Sequence, residues 1–197
     1  PVPHSMRGQH EINTIPHSPF QSIDVVKPLI RKKAYTIAEI TRLYKIFDKY
    51  SLLTKREKLA LDMFFLSFFM CGINEADLYT AKQEALKNGR FSYNRAKTKN
   101  IRADSAYISI KVEDPAMTII EKYRSSGPML FPFSENYSDC RSFDKAIGIG
   151  LRSLNNKYLD NDFYGITYYH ARHSFATIAR NNVKISKDDI SLMLNHA

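Results

Sequence analysis

The chain has 197 residues, which is enough for one sizeable hydrophobic core and a small appendage. Its 44% hydrophobic content is typical of a globular protein, and 29 lysines and arginines against 20 acidic residues give a net charge of +9. This excess favours a polyanionic partner, nucleic acid before an anionic membrane surface. The most apolar stretch, residues 59–73, is internal and shorter than the ~20 residues of a membrane span, which excludes a signal peptide and a transmembrane helix there.

The two cysteines, Cys71 and Cys140, lie far apart and form no CxxC pair. Neither a zinc site nor a disulfide framework is indicated, and a reducing cytosol is the natural compartment. We expect Cys71, which ends the apolar run, to be a buried thiol.

Residues 1–30 are expected to form an extended or linker segment rather than a packed element. Five prolines are scattered there among polar residues. Because the chain does not begin with Met, we also expect a fragment of a longer protein, entered at a linker between domains.

Two capping boxes predict the first helices. Thr36 with Glu39, and Thr54 with Glu57, supply the hydroxyl and carboxylate that bind free N–H groups at a helix start. The apolar stripe of the first helix consists of Ile37, Ile40, Leu43, Tyr44 and Phe47. The second helix is apolar on every side up to residue 70, which predicts the centre of the core. It stops at Gly72, and a short helix begins near Asn74.

Alternating residues predict a hairpin of two strands, residues 91–98 and 106–112. Side chains at i and i+2 of a strand share a face, so Arg95 and Lys97 are expected to point together. Further helices are predicted from Asp114, as a cap followed by Pro115, and over residues 142–159.

The C-terminal residues predict two short helices with basic residues at their ends. Residues 171–179 place Arg172 and His173 near a helix start, where backbone N–H groups and a guanidinium together predict an anion site, with phosphate as the obvious ligand. Ser186 is a candidate cap for a second helix over residues 188–195, and His196 comes directly after it.

These last two segments resemble the catalytic domain of tyrosine recombinases, the phage-integrase family, in the form found in bacterial mobile elements. Residues 172–177, RHSFAT, look like the box around the family's second catalytic arginine, and residues 192–197, LMLNHA, look like the segment of its later histidine. The resemblance extends over about residues 36–197. It implies an α+β, mainly α-helical fold: a helical catalytic domain over residues 31–197 with a small antiparallel β-sheet.

The sequence departs from the family at its first catalytic arginine. The family has Gly-x-Arg and then an acidic residue and Leu, whereas Gly72-Ile73-Asn74 has Asn in the arginine position; Asp77 and Leu78 match the acidic residue and the Leu. Asn cannot supply a bidentate cationic clamp for phosphate oxygens. We therefore hypothesise that Arg95 replaces the missing arginine. The alternative is that Arg95, Lys97, Lys99 and Arg102 form a cluster that contacts DNA backbone.

A second departure lies three residues before the box arginine. The family has His, or sometimes Lys, at that position, and here it is Tyr169, with His170 beside it. Tyr169 could hydrogen-bond a phosphate but is a poor general base, since the reference pKa of tyrosine is about 10. The alternative is an ordinary packed aromatic residue.

The resemblance implies site-specific DNA recombination or integration through a covalent 3′-phosphotyrosyl intermediate, without metal or cofactor. Arg172 and Arg95 would clamp the phosphate, Lys97 would protonate the leaving oxygen, and His196 and Tyr169 would hydrogen-bond phosphate oxygens. The residues expected to support these groups are His173 and Asp77, and those expected to contact DNA are Lys99, Arg102 and His170. The nucleophilic tyrosine is expected two to three helical turns beyond His196, after Ala197, so these 197 residues are expected to bind DNA without cleaving it.

The expected partners are double-stranded DNA at recombination sites and further copies of the protein, as a tetramer on DNA, with no membrane partner. The expected location is the bacterial cytoplasm, at the nucleoid. Two other functions stay open: a recombinase-derived DNA-binding protein without catalysis, and a helical DNA-binding regulator unrelated to recombinases.

Overall fold

The protein is described by a computed structural model that covers residues 34–163 and 165–195. The predicted linker at residues 1–30 and the candidate His196 lie outside these residues, and the domain boundary at residue 31 stays a prediction. The described residues form a mainly helical domain with one three-stranded antiparallel sheet, which confirms the predicted α+β class.

In the described residues, three consecutive strands lie between two groups of helices. The helices are α1 (Ile37–Tyr44), α2 (Lys55–Phe69), α3 (Glu75–Tyr79), α4 (Asp114–Lys122), α5 (Phe133–Asn136), α6 (Cys140–Tyr158), α7 (Tyr169–Asn181) and α8 (Lys187–Met193). The strands are β1 (Leu86–Lys87), β2 (Arg90–Asn94) and β3 (Tyr107–Lys111), and 3₁₀ helices span Lys45–Leu52 and Gln83–Ala85.

Helix α2 is the centre of the core, as its sequence predicts. Every residue from Leu59 to Ser67 is buried, and α4, α6 and α7 pack around the helix. The predicted capping box begins it: Thr54 accepts a hydrogen bond from the Glu57 N–H, and the Glu57 carboxylate accepts one from the Thr54 N–H. Gly150 brings α6 close, because a β-carbon there would lie 2.5 Å from the Ala60 β-carbon. This close packing fixes the helix that leads into the site.

One carboxylate is buried within this core. Asp62, which interrupts the apolar run, is fully buried and accepts hydrogen bonds from Tyr50 Oη (2.5 Å), Tyr123 Oη (2.7 Å) and Lys122 Nζ (2.8 Å). It therefore ties α2 to α4 and to the 3₁₀ helix after α1.

Helix α1 has the predicted capping box, but its predicted stripe is too wide. Ile40 and Leu43 are buried, whereas Ile37 is 48% exposed and Tyr44 is 46% exposed. The chain changes from α to 3₁₀ geometry at Lys45. A 3₁₀ helix turns through a larger angle per residue than an α-helix. Phe47 nevertheless packs against the core, with its ring centroid 5.5 Å from that of Phe65.

Several helix boundaries differ from the prediction by one to three residues. Helix α4 already includes Asp114, with Glu113 as its N-cap, and α6 starts at Cys140 after the Asp139 cap. Helix α7 extends beyond residues 171–179 at both ends, and α8 ends at Met193 rather than residue 195. Ser186 caps α8 as predicted, accepting from the Asp189 N–H.

The hairpin of β2 and β3 is confirmed, but β2 is shorter than predicted. Its antiparallel register pairs Phe91 with Ile110, and the strand ends at Asn94. Arg95 and Lys97 therefore lie beyond the strand, and the expectation that they share a strand face is wrong. Arg95 still donates its N–H to the Ala106 carbonyl oxygen at 3.0 Å, and the next amide, that of Ala96, donates to the Asp77 carboxylate at 2.8 Å. The Asp77 carboxylate thus holds the turn that follows the strand.

Two further findings concern only the residues that the structure describes. None of their helices is long and apolar enough to cross a membrane. They also contain no cluster of three or more His, Cys, Asp or Glu side chains suited to a metal ion.

Candidate functional site

A cavity of about 290 Å³ lies where α3, the start of α7 and the turn after β2 meet. Its lining residues are Asn74, Glu75, Ala76, Asp77, Arg95, Ala96, Lys97 and Tyr169. Four of the residues that the sequence analysis proposed, together with Asn74, thus border one space.

Arg172 is buried beside this cavity and is held by main-chain carbonyls. It lies in the second turn of α7 and is 4% exposed. Its Nη1 donates to the Gly72 carbonyl oxygen at 2.7 Å, and its Nη2 donates to the Leu194 carbonyl oxygen at the end of α8. The guanidinium therefore joins three parts of the fold: the α2–α3 junction, α7 and α8.

Gly72 allows this approach. Its φ of +76° lies in the left-handed region, and a β-carbon there would lie 2.5 Å from Arg172 Cγ and 2.8 Å from Arg172 Cα. Any side chain at position 72 would push the α7 backbone away. The sequence around Gly72 predicts only a helix stop. The close approach of Gly72 to Arg172 has no local signal, because the two residues are 100 positions apart.

Arg95 is the second buried arginine of the site. It is 7% exposed, and its Nη1 donates to the Asn195 carbonyl oxygen at 3.1 Å. Asn195, with a φ of +50°, donates from Nδ2 to the Ala106 carbonyl oxygen at 2.7 Å, and that oxygen also accepts from the Arg95 N–H at 3.0 Å. Asn195 thus connects the residues after α8 to Arg95 and to the start of β3.

Asn195 was not predicted as a site residue. An asparagine just after a helix is typical of the left-handed residue that terminates it. That signal was present in the sequence, but it predicts a helix end and not a contact with an arginine.

The two arginines lie in one electrostatic environment. Burial lowers the pKa of Arg172, and the positive charge of Arg95 lowers it further, while Asp77 is among the groups that oppose the shift. Burial raises the pKa of Asp77, and the charges of both arginines act against that rise. Two buried guanidinium groups around one buried carboxylate give a positive site, which is suited to an anion.

Lys97 and Tyr169 border the cavity from its exposed side. Lys97 is exposed, and Tyr169 is 45% exposed with its ring edge-on to His173 at a centroid distance of 4.6 Å. His173 therefore contacts Tyr169. Asn74, in the family's arginine position, is the N-cap of α3 and makes no side-chain capping hydrogen bond.

Three proposed DNA contacts do not line this cavity. Lys99 is exposed and lines a neighbouring space of about 730 Å³ between α3 and the sheet. Arg102 forms a two-point ion pair with Asp104, at 2.5 and 2.8 Å, which lowers the pKa of Asp104 to about 2. His170 accepts the Thr167 N–H at Nδ1 and stacks on Tyr35, with centroids 5.2 Å apart.

Cys71 is close to the site but is only partly buried, unlike the expected fully buried thiol. Burial raises its pKa to about 11, and the charge of Arg172 acts in the opposite direction. A thiol with this pKa is almost entirely protonated at neutral pH and is a poor nucleophile.

No protein-family model matches the chain, and no curated protein matches it in sequence. Among solved structures, the fold is similar to that of the Tn1549 transposon integrase in complex with a circular-intermediate DNA, with a TM-score of 0.62. Sequence identity is 14%, and the match covers 84% of this chain and 58% of the integrase chain. The chain thus spans less than two thirds of that structure. At this identity the similarity is one of fold alone.

Proposed function

We propose that this chain is the catalytic domain of a tyrosine-type DNA recombinase, acting in site-specific recombination or integration. The observation that carries the proposal is the meeting of Arg172, Arg95 and Lys97 around Asp77 at the end of the central helix. The fold similarity to an integrase in complex with DNA, and the net charge of +9, support DNA as the ligand.

In this proposal the scissile phosphodiester binds at the cavity, with Arg172 and Arg95 beside its non-bridging oxygens. A tyrosine oxygen attacks phosphorus, the bond from phosphorus to the 5′ oxygen breaks, and the 3′ phosphate stays linked to the tyrosine. The guanidinium groups stabilise the charge that develops on the non-bridging oxygens. Lys97 gives a proton to the leaving 5′ oxygen.

The supporting groups have defined tasks in the same scheme. Asp77 holds the turn that carries Arg95 and Lys97 through the Ala96 N–H. Tyr169, kept in place by His173, hydrogen-bonds a phosphate oxygen. His196 and the nucleophilic tyrosine remain the assignments implied by the resemblance, and so does assembly on DNA as a tetramer.

The second candidate is a recombinase-derived DNA-binding protein without catalysis. Asn74 favours it, since this residue replaces an arginine at the edge of the cavity and brings no charge. The two candidates predict the same DNA affinity and differ in the covalent step.

The test uses the natural full-length protein with a nicked DNA substrate that traps the covalent intermediate. We expect a covalent protein–DNA band that Arg172→Ala and Arg95→Ala reduce by at least ~10³-fold, the scale for loss of a group that stabilises transition-state charge. Arg90→Ala is the matched control, because Arg90 is an exposed arginine on β2 that bonds Ser109 and does not line the cavity. Tight, salt-sensitive binding without any band would favour the non-catalytic candidate.

The role of Lys97 has its own test. A substrate with sulfur in place of the 5′ bridging oxygen has a leaving group that needs no proton. We expect it to restore cleavage by Lys97→Ala and not by Arg172→Ala. Equal rescue of both variants, or of neither, would contradict the assignment of Lys97 as the acid.

A further inference from the structure

A second pocket lies at the opposite end of α2 from the candidate site. It has a volume of about 670 Å³, within the range of small-molecule sites, and is bordered by the first turns of α2, the end of α4 and α5. Helix α2 has 15 residues and is therefore about 22 Å long, so this pocket and the candidate site are separate.

The walls of this pocket combine aromatic rings with cations. The aromatic residues are Tyr50, Tyr123, Phe133 and Tyr137, and the cationic residues are Lys55, Arg56, Lys58 and Lys122. None of the described residues that line it is acidic. The nearby charges are already matched: Asp62, beneath the pocket, is paired with Lys122 at 2.8 Å, and Glu57 is paired with Lys157 at 2.6 Å.

The remaining three cations are available to a ligand. Among the residues that the structure describes, Lys55, Arg56 and Lys58 take part in no ion pair. The ring of Tyr50 is already in contact with cations, since Lys122 Nζ lies 3.7 Å and Lys58 Nζ 5.2 Å from its centroid. The ring of Tyr137 lines the same pocket and is only partly buried. A partly exposed ring beside cations that form no ion pair suits a ligand that has both a flat aromatic group and negative charge.

We propose that this pocket binds a nucleotide, with its phosphates on Lys55, Arg56 and Lys58. Its base lies against the partly exposed ring of Tyr137. Base stacking on aromatic side chains and phosphate binding by basic ones are the two parts of nucleotide recognition that need no base-specific groups. Either a free mononucleotide or an unpaired nucleotide of single-stranded DNA has this chemistry.

Binding of fluorescently labelled ADP to the purified chain tests the pocket independently of any recombinase activity. Competition by unlabelled ADP, adenosine and inorganic tripolyphosphate separates the contributions of base and charge. We expect the double variant Arg56→Ala with Lys58→Ala to weaken ADP binding at least 10-fold. The matched control is Lys87→Ala with Lys111→Ala, which removes two positive charges from the sheet and should leave binding within 2-fold.

The aromatic contribution is tested with Tyr137→Leu, after thermal unfolding has checked that the variant is folded. It should weaken ADP and leave tripolyphosphate unchanged. An oligonucleotide of unpaired thymidines that displaces labelled ADP, and does so more weakly from the Arg56 and Lys58 variant, would identify single-stranded DNA as the ligand. If ADP binds and the oligonucleotide does not displace it, the ligand is a free nucleotide. Three results would each overturn the proposal. They are no binding of ADP at millimolar concentration, tripolyphosphate binding as tight as that of ADP, and ADP binding that does not respond to the changes at Arg56 and Lys58.

Discussion

Gly72 and Arg172 are packed so closely that the identity of the first residue sets the position of the second. The left-handed φ of Gly72 and the 2.5 Å approach of its missing β-carbon to Arg172 Cγ are separate constraints. Gly89 has the first constraint without the second, since its φ is +69° and a β-carbon there would meet nothing within 4 Å. The pair allows the conformational and the packing contributions to be separated.

We expect Gly72→Ala to lower the free energy of unfolding by about 2–5 kcal/mol, the sum of left-handed strain and overpacking. Gly89→Ala should cost about 1–2 kcal/mol, from strain alone. Denaturant unfolding of both variants measures the difference. Equal losses would mean that α7 moves away from position 72 at no cost.

At this scale the sequence predicted which residues meet better than it predicted how they meet. Arg95 and Lys97 do border one cavity, although the reason given, a shared strand face, is wrong. The turn that brings them together depends on Asp77, which is 19 residues away from Ala96. Periodicity describes neighbours along one element and contains no information on such a contact.

At the scale of elements, the two capping boxes have the same local motif but differ in the burial and the hydrogen bonds of their glutamates. Glu39 is half-buried at the start of α1, whereas Glu57 is buried at the start of α2 and accepts further hydrogen bonds from Lys157 (2.6 Å) and Ser153 (2.6 Å). Burial alone would raise the pKa of Glu57, but the hydrogen bonds from Lys157, Ser153 and Thr54 outweigh it and lower that pKa to about 2. The sequence predicted both boxes and could not distinguish them, because Lys157 and Ser153 belong to a distant helix.

This difference predicts a pH dependence of stability. The folded pKa of Glu57 lies below the ordinary value of 4.5, so its stabilisation is fully present above about pH 4.5 and is lost as the pH falls towards 2. We expect Glu57→Gln to reduce the free energy of unfolding at pH 7 by about 1–2 kcal/mol. This is less than the full pKa shift of Glu57 implies, because its partner Lys157 is half exposed and solvent screens the pair. The variant should also lose less stability than the wild type as the pH falls below 4.5. Thermal unfolding between pH 2 and 7 measures this, with Glu39→Gln as the control; parallel curves for wild type and Glu57→Gln would contradict it.

The buried carboxylate of Asp62 makes a second prediction at the level of helix packing. Lys122→Met removes its cationic partner and leaves it with two tyrosine hydroxyls, which should cost about 2–4 kcal/mol of unfolding free energy. Lys111→Met breaks a pair between Lys111 and Glu113 whose side chains are both largely exposed, and should cost less than about 1 kcal/mol. Chemical denaturation compares the two. A similar small loss in both variants would mean that the buried pair between Lys122 and Asp62 contributes no more than an exposed one.

For the whole molecule, the predicted class and the central place of α2 were accessible from the sequence because they depend on burial pattern. The site was accessible in part, through the arginine and histidine segments near the C-terminus. The third strand, β1, was missed because two residues, Leu86 and Lys87, give no alternation to detect. The network of arginines and carbonyls was missed because it joins residues that are 22 to 100 positions apart.

The net charge of +9 predicts DNA binding that weakens with salt, if the proposed function is right. Lys97→Ala should reduce the slope of log K against log salt by about 1, as expected for the loss of one phosphate contact. Arg102→Ala should change it little, since Asp104 already neutralises Arg102. Fluorescence anisotropy of a labelled duplex at several salt concentrations measures both slopes, and a larger effect of Arg102→Ala would restore that residue as a direct DNA contact.

The acceptors that hold the two arginines are the carbonyl oxygens of Gly72, Leu194 and Asn195, and every amino acid carries such an oxygen. No substitution can delete them, so an alanine scan of these positions reports on backbone geometry and not on the hydrogen bonds themselves. The guanidinium network can therefore persist while the side chains around it diverge. Exchanging single backbone amides for esters, which weakens the carbonyl as an acceptor, is the chemical change that would expose its contribution.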